Sequence, residues 1–70
     1  MAQAHLSKTQ QAIIMMRFEI AKMKEGEKFY SVKQCCERYG LSDRTIWVAL
    51  QCMVSEGKLE PVPTVGYFVL

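Results

Sequence analysis

The segment from Ser31 to Leu50 constrains the fold more than any other part of the chain, because two helix starts and one helix stop fall within it. Ser31 can cap a first helix by accepting a hydrogen bond from a backbone N–H of the opening turn. Gly40 can take the left-handed conformation that often ends a helix, and Ser42 can cap a second helix directly afterwards. Helices joined this closely must cross steeply, as in a helix-turn-helix, whose second helix can lie in a DNA major groove. An ordinary helical corner in a small core would give the same signals.

Length and composition set the class of protein. Seventy residues, half of them hydrophobic and the charged ones of both signs, predict one globular domain with a small core. No apolar run reaches the roughly 20 residues of a membrane span, and the start lacks the order of a signal peptide, so we expect a cytoplasmic protein with no membrane partner. The sequence has no carboxylate pair, Cys–His pair or phosphate loop in a usable context, and it predicts no enzyme.

The cysteine and histidine residues predict neither disulfides nor a metal site. The chain has three cysteines, Cys35, Cys36 and Cys52, and an odd number argues against a closed disulfide framework. The one histidine, His5, falls in residues 1–6, which we expect to be frayed, and no CxxC or HxxxH spacing is present. We therefore predict buried, apolar cysteines in a reducing compartment, with no metal and no cofactor.

The charge is small and unevenly distributed. The net charge is +2, with net +3 in residues 1–40 and net −1 in residues 41–70. A strong non-specific DNA binder would carry a basic face. Any affinity of the isolated domain for nucleic acid should therefore be modest.

The first helix is predicted over residues 8–24, and its apolar side chains form two stripes. Ser7 and Gln10 fit a capping box at its start. The stripes are Ile13, Met16, Ile20 and Met23, and, about a third of a turn away, Ile14, Phe18 and Ala21. Either both stripes belong to one broad buried face, with the stems of Arg17 and Lys24 between them, or one faces the core and the other a partner.

Two further helices and a hairpin complete the predicted fold. The second helix should cover about 32–39 and the third about 43–56, with Gly26 in the loop after the first helix and Gly57 directly after the third. The third has a core stripe of Ile46, Ala49, Leu50 and Met53, while Arg44, Trp47, Val48 and Gln51 lie on its opposite face. Two short β-prone runs within 58–70 predict a hairpin, in which prolines confine the first strand to an edge. The fold class is thus α+β, mainly α: one winged helix-turn-helix domain over residues 1–70.

The motifs from Phe29 to Val69 resemble the DNA-binding domain of GntR-type bacterial transcription regulators. The matching features are Ser31, Glu37-Arg38-x-Gly40-x-Ser42, Thr45-x-x-x-Ala49-Leu50, Glu56-Gly57-x-Leu59 and Gly66-Tyr67-Phe68-Val69, with Ile14, Phe18, Met23 and Gly26 in the first helix and the loop after it. Their spacing matches without a gap, and the similarity covers roughly residues 9–69. Each motif is weak alone, but the joint spacing is specific.

The resemblance implies binding to a double-stranded DNA operator, with the third helix in the major groove and the wing at the adjacent minor groove or backbone. It also implies a homodimer in the full-length regulator, and a small-molecule effector that acts only through a separate domain absent from this chain. The predicted DNA-binding residues are Lys33, Gln34, Asp43, Arg44, Thr45, Trp47, Thr64 and Gly66.

This chain departs from the family pattern at three places. The family often has arginine where Asp43 and Trp47 stand, and a basic or glycine-rich wing tip where this chain has Pro63-Thr64-Val65. Arginine reads guanine through a two-pronged hydrogen bond worth about 1–3 kcal/mol of discrimination. Asp43 could accept from cytosine but repels phosphate, and Trp47 could pack on a thymine methyl group or a sugar.

Two functions therefore stand as hypotheses. The first is a sequence-specific DNA-binding domain of a transcription regulator. The second is a winged helix adapted to bind protein. That alternative would use an apolar surface made of Trp47, Val48, Val62 and Val65.

Overall fold

The computed structural model describes residues 6–70, so His5 and, except for Leu6, the segment expected to be frayed over residues 1–6 lie outside it. The elements follow the predicted order: α1 (Lys8–Lys22), α2 (Val32–Tyr39), α3 (Asp43–Ser55), β1 (Leu59–Val62) and β2 (Gly66–Val69). Three helices and a two-stranded antiparallel sheet confirm the predicted fold class.

A serine caps the start of every helix. Ser7 accepts from the backbone N–H of Gln10, whose side chain accepts in return from the backbone N–H of Ser7. Ser31 and Gln34 form a second capping box of the same kind, in which the sequence analysis predicted only the serine. Ser42 accepts from the N–H of Thr45. Each cap is worth about 1 kcal/mol, and together they fix where the helices begin.

The prediction that α1 extends to about Lys24 is wrong. Met23 is already extended, at φ −97° and ψ 159°, and its N–H donates to the carbonyl of Ile20 at 3.0 Å. The backbone N–H of Lys24 then donates to the carboxylate of Glu27 at 2.9 Å. The early end lets the following loop reach β2, where the N–H of Gly26 donates to the carbonyl of Val69 at 2.7 Å. The end of α3 differs by one residue, because Glu56 is its C-cap.

The core lies where α1, α3 and the hairpin meet. Its buried members are Ala12, Met16, Ile20, Phe29, Cys35, Ile46, Ala49, Leu50, Met53, Leu59 and Val69. All four residues of the predicted stripe on α3 are among them, which confirms that stripe.

The two stripes of α1 have different environments. Met16 and Ile20 are buried, and the other two members of their stripe pack against the core. Phe18, on the other stripe, is 65% exposed. The single broad buried face is therefore wrong, and only the first stripe faces the core. Ala12 also belongs to the buried face, although its small side chain was not counted in either stripe. Arg17, between the stripes, forms an ion pair with Glu56 at the end of α3.

The segment before α2, predicted as a loop, pairs with the hairpin. β1 and β2 pair antiparallel, with Leu59 opposite Val69 and Val62 opposite Gly66. On the other side of β2, the N–H of Val69 donates to the carbonyl of Glu27, and the N–H of Phe29 donates to the carbonyl of Tyr67, both at 2.8 Å. The ring of Phe29 is buried in the core. The sheet thus rests on the helices through Phe29 as well as through its own strands.

The cysteines are free thiols, but only one is buried as predicted. Cys35 is fully buried, and burial raises the pKa of its thiol to about 12. Cys36 and Cys52 are half-buried, because they lie at the margins of the faces that α2 and α3 pack into the core. Within residues 6–70, no helix is long and apolar enough to cross a membrane.

Candidate nucleic-acid interface

The corner between α2 and α3 is set by one glycine and one side-chain contact. Gly40 adopts the left-handed conformation, at φ 68° and ψ 34°, and its N–H donates to the carbonyl of Cys36. The Cys36 thiol in turn donates to the Asp43 carboxylate across the corner, with Sγ 3.1 Å from Oδ1. This hydrogen bond raises the pKa of the Cys36 thiol and links the first turn of α3 to α2.

The exposed side of α3 begins with its first two residues. Asp43 and Arg44 are both exposed, and Arg44 has no ion-pair partner among residues 6–70. Thr45 is half-buried, and the Ser42 hydroxyl donates to its Oγ1 at 3.0 Å. Thr45 is therefore partly occupied by the cap, whereas Arg44 is free to reach a ligand.

Trp47 lies one turn after Asp43 and is 54% exposed. Residues four apart on a helix share a face, so Asp43, Trp47 and Gln51 form one line along α3. The Gln51 side chain donates to the hydroxyl of Tyr67 on β2, with Nε2 3.3 Å from the oxygen. The line on α3 therefore runs directly into the wing, and the two elements form one continuous surface.

The structure separates the two site residues predicted on α2. Lys33 is exposed and lies one turn before Cys36, on the side of α2 that meets the start of α3. Gln34 lies one turn before Arg38 and lines a shallow depression with Tyr30. Its carbonyl oxygen is occupied by the capping box of α2. Lys33 thus joins the α3 surface, while Gln34 serves mainly the helix start.

The wing tip carries the last two predicted residues. Thr64 is exposed and has a left-handed φ of 63°, which is unusual for a β-branched residue and costs about 1–2 kcal/mol. Its hydroxyl donates to the carbonyl of Pro63 at 2.6 Å. Gly66 has φ 137°, a conformation that favours glycine. The tip therefore has a defined shape but no positive charge of its own.

Two arginines of the domain are committed to internal ion pairs. Arg38 donates to the Glu19 carboxylate at 3.0 Å, and its guanidinium lies 4.5 Å from the ring centre of Tyr30. Arg17 pairs with Glu56. Hydrogen bonds from these arginines lower the pKa of both carboxylates. The positive charge available beside the helix corner is therefore that of Lys33 and Arg44.

One basic residue near this surface was not predicted. Lys28 is exposed and forms a bridge with Phe68 at the edge of β2, which places it on the wing. Local sequence offers no signal for this, because the pairing joins residues forty positions apart. No group of three or more His, Cys, Asp or Glu side chains within residues 6–70 could hold a metal ion.

Comparison with solved structures links this geometry to regulator domains. The N-terminal domain of AraR in complex with mutant ORR3 has a TM-score of 0.90 and 27% identity, over 97% of this chain and 100% of that one. The AraR DNA-binding domain in complex with operator ORR3 has a TM-score of 0.91 and 26% sequence identity, and the match covers 100% of this chain and 87% of that one. A transcriptional antiterminator from Listeria monocytogenes EGD-e has a TM-score of 0.81 and 22% sequence identity, and the match covers 99% of this chain and 53% of that one.

The chain has the winged-helix fold of a DNA-binding domain. The likeness to the AraR domain extends over the helices and the wing together, since nearly the whole chain is covered. No protein-family model and no curated protein matches the sequence.

Proposed function

We propose that this chain is the sequence-specific DNA-binding domain of a transcription regulator. α3 enters the major groove of a double-stranded operator, and the wing lies at the adjacent minor groove or backbone. The observation that carries the proposal is the likeness, over nearly all of the chain, to AraR domains in complex with operator DNA. The capped corner supports it, because it fixes α3 with an exposed face directed away from the core.

The residues on that face have distinct roles in the proposal. Arg44 and Lys33 stand at the starts of α3 and α2, where backbone N–H groups also favour phosphate. They supply most of the electrostatic affinity. Trp47 packs on a thymine methyl group or a sugar. Asp43 accepts a hydrogen bond from cytosine through the carboxylate oxygen that is not bonded to the Cys36 thiol.

The wing and the partners complete the proposal. Thr64 and Gly66 approach the backbone beside the groove, and Thr45 and Gln34 contribute secondary contacts at the helix starts. The motif spacing supports a GntR-type regulator that binds its operator as a homodimer. A small-molecule effector would act through a separate domain.

The alternative, a protein-binding surface around Trp47, has weaker support. Trp47 and Val65 are 54% and 49% exposed. Val48 and Val62 are half-buried, so two of the four members of this surface are partly used inside the domain. The operator complexes of the AraR domain favour DNA as the ligand.

A salt titration of Arg44→Ala tests the proposal. A mixed-sequence duplex is suitable, because phosphate contacts do not depend on sequence. Each contact contributes about 0.9 to the slope of log affinity against log salt, so its loss weakens binding about eightfold at 0.1 M salt. We expect that loss and a flatter slope for Arg44→Ala.

Lys22→Ala is the matched control. Lys22 is exposed in the last turn of α1, on the side away from the buried face. The Lys22→Ala variant should bind the duplex like the wild type. If Arg44→Ala also binds like the wild type in a mobility-shift titration, Arg44 is not part of the interface. Selection of duplexes from a random pool then tests sequence specificity, and an absence of enrichment would contradict it.

A further inference from the structure

The turn of the wing has no basic residue, but a lysine from the segment before α2 is placed on the wing by strand pairing. The turn between the strands consists of Pro63, Thr64 and Val65, none of which is charged. The nearest basic residue along the chain is Lys58, which precedes β1 at the root of the wing. A wing that approaches phosphates would gain little affinity from such a turn alone.

Lys28 is held on the wing by backbone pairing. Its neighbours on both sides bond to β2: the carbonyl of Glu27 accepts from Val69, and the N–H of Phe29 donates to Tyr67. The bridge places Lys28 directly opposite Phe68. This position is therefore fixed by the sheet and does not depend on a flexible loop.

The side chain of Lys28 lies on the outer face of the wing. Phe29 is buried, so Lys28, its neighbour in an extended segment, points to the opposite face. Residues opposite each other in a sheet share a face, so Lys28, Phe68 and, two residues along, Gly66 lie together there. Glu60, opposite Phe68 on β1, shares this face but forms no ion pair with Lys28 among residues 6–70.

From Phe68 the side chain runs along β2 towards the turn. Its Cε lies 3.2 Å from the position that a Cβ on Gly66 would occupy. Gly66 is the first residue of β2 after the turn, so the ammonium group is delivered to the end of the wing. The absence of a side chain at Gly66 leaves the space through which the lysine passes.

We propose that Lys28 is the phosphate-binding residue of the wing, supplied by the segment before α2 to a turn that has no positive charge. The proposal rests on the proposed function, because the phosphate belongs to the DNA beside the groove that α3 occupies. Lys28 would then be the third basic contact, after Arg44 and Lys33, and the one on the wing.

The test compares Lys28→Met with Lys28→Arg and Lys58→Met on a mixed-sequence duplex of about 20 base pairs, between 50 and 200 mM salt. Methionine keeps the unbranched stem over Gly66 and removes the charge, whereas arginine keeps the charge. We expect Lys28→Met to bind about eightfold more weakly at 0.1 M salt, with a slope smaller by about 0.9. Lys28→Arg should retain the wild-type slope. Lys58→Met, with the same charge change at the root of the wing, should bind like the wild type.

The possible outcomes separate this proposal from the function on which it rests. If Lys28→Met binds like the wild type while Arg44→Ala binds more weakly, the role of Lys28 is overturned and the DNA-binding function stands. If Lys28→Met and Lys58→Met weaken binding equally, the effect is one of overall charge and Lys28 is not a specific contact. If the wild type shows no salt-dependent binding, both proposals fail. Thermal unfolding of each variant, expected to be unchanged at exposed positions, separates lost contacts from lost fold.

Discussion

Replacing Trp47 with alanine should weaken DNA binding strongly and lower the free energy of unfolding by a smaller amount. The indole is 54% exposed in the free domain and lies outside the buried core. Substitutions at exposed positions usually change the free energy of unfolding by less than about 0.5 kcal/mol. The part of Trp47 that is covered in the free domain adds to this cost, so the fold should lose some stability, and the larger loss should fall on the complex.

The size of the effect follows from the exposed area. If the side chain presents about 250 Å² in all, about 135 Å² remains accessible in the free domain. Burying all of that area against DNA would contribute at most about 3.4 kcal/mol, at about 25 cal/mol per Å², and partial burial correspondingly less. We expect Trp47→Ala to lose roughly 10- to 100-fold in affinity. The slope against salt should not change, because an apolar contact releases no counterions.

A mobility-shift titration with a selected operator duplex compares the affinity of Trp47→Ala with that of the wild type, and the one tryptophan of the wild-type chain reports its own burial by fluorescence. Its emission should be that of an exposed indole in the free domain and should shift to the blue or be quenched on adding a selected operator duplex. Phe18→Ala is the matched control, because Phe18 is 65% exposed on the outer stripe of α1, away from α3. An emission already typical of a buried indole, or a large loss of stability in Trp47→Ala, would refute the assignment of this face of α3.

Two further predictions concern the fold and the assembly. Gly40→Ala should destabilise the domain by about 1 kcal/mol, because alanine is strained in the left-handed backbone conformation. A Cβ at this position would meet no atom within 4 Å, so a steric clash should add nothing to that cost. The midpoint of thermal unfolding should then fall by about 4–8 °C, and an unchanged midpoint would show that the corner is not strained. The isolated domain should bind a half-site weakly and a palindromic duplex more tightly as a dimer, since two linked sites raise the effective concentration. Sedimentation at increasing concentration, with and without the duplex, measures this, and a strict monomer with tight half-site binding would contradict it.

Features set by local chemistry could be predicted from the sequence. The three serine caps and the left-handed Gly40 depend on residues within one turn of each helix end, so their signals lie close together in the chain. The core stripe of α3 follows from periodicity alone. The exposure of Trp47 follows in turn, because Ile46 next to it belongs to that stripe.

Features set by distant pairing could not be predicted. Gly26 marks the loop after α1, but the residues around Met23 do not fix the exact end of the helix, and the segment that follows it bonds to β2. The same pairing brings Lys28 to the wing and buries Phe29. The partner of Asp43 was also hidden, since a thiol on α2 has no evident relation to a carboxylate seven residues later. The roles of the predicted site residues in DNA binding stay predictions.

The pairing of the Glu27–Phe29 segment with β2 also bears on how the domain behaves at high concentration. An unpaired strand edge is a template on which a second molecule can add a strand and begin aggregation. Here one edge of β2 is covered by that segment, and the other is paired with β1. On the outer strand, Pro61 has no N–H to offer to an incoming strand. The hairpin therefore offers fewer free backbone groups on which a strand of another molecule could add.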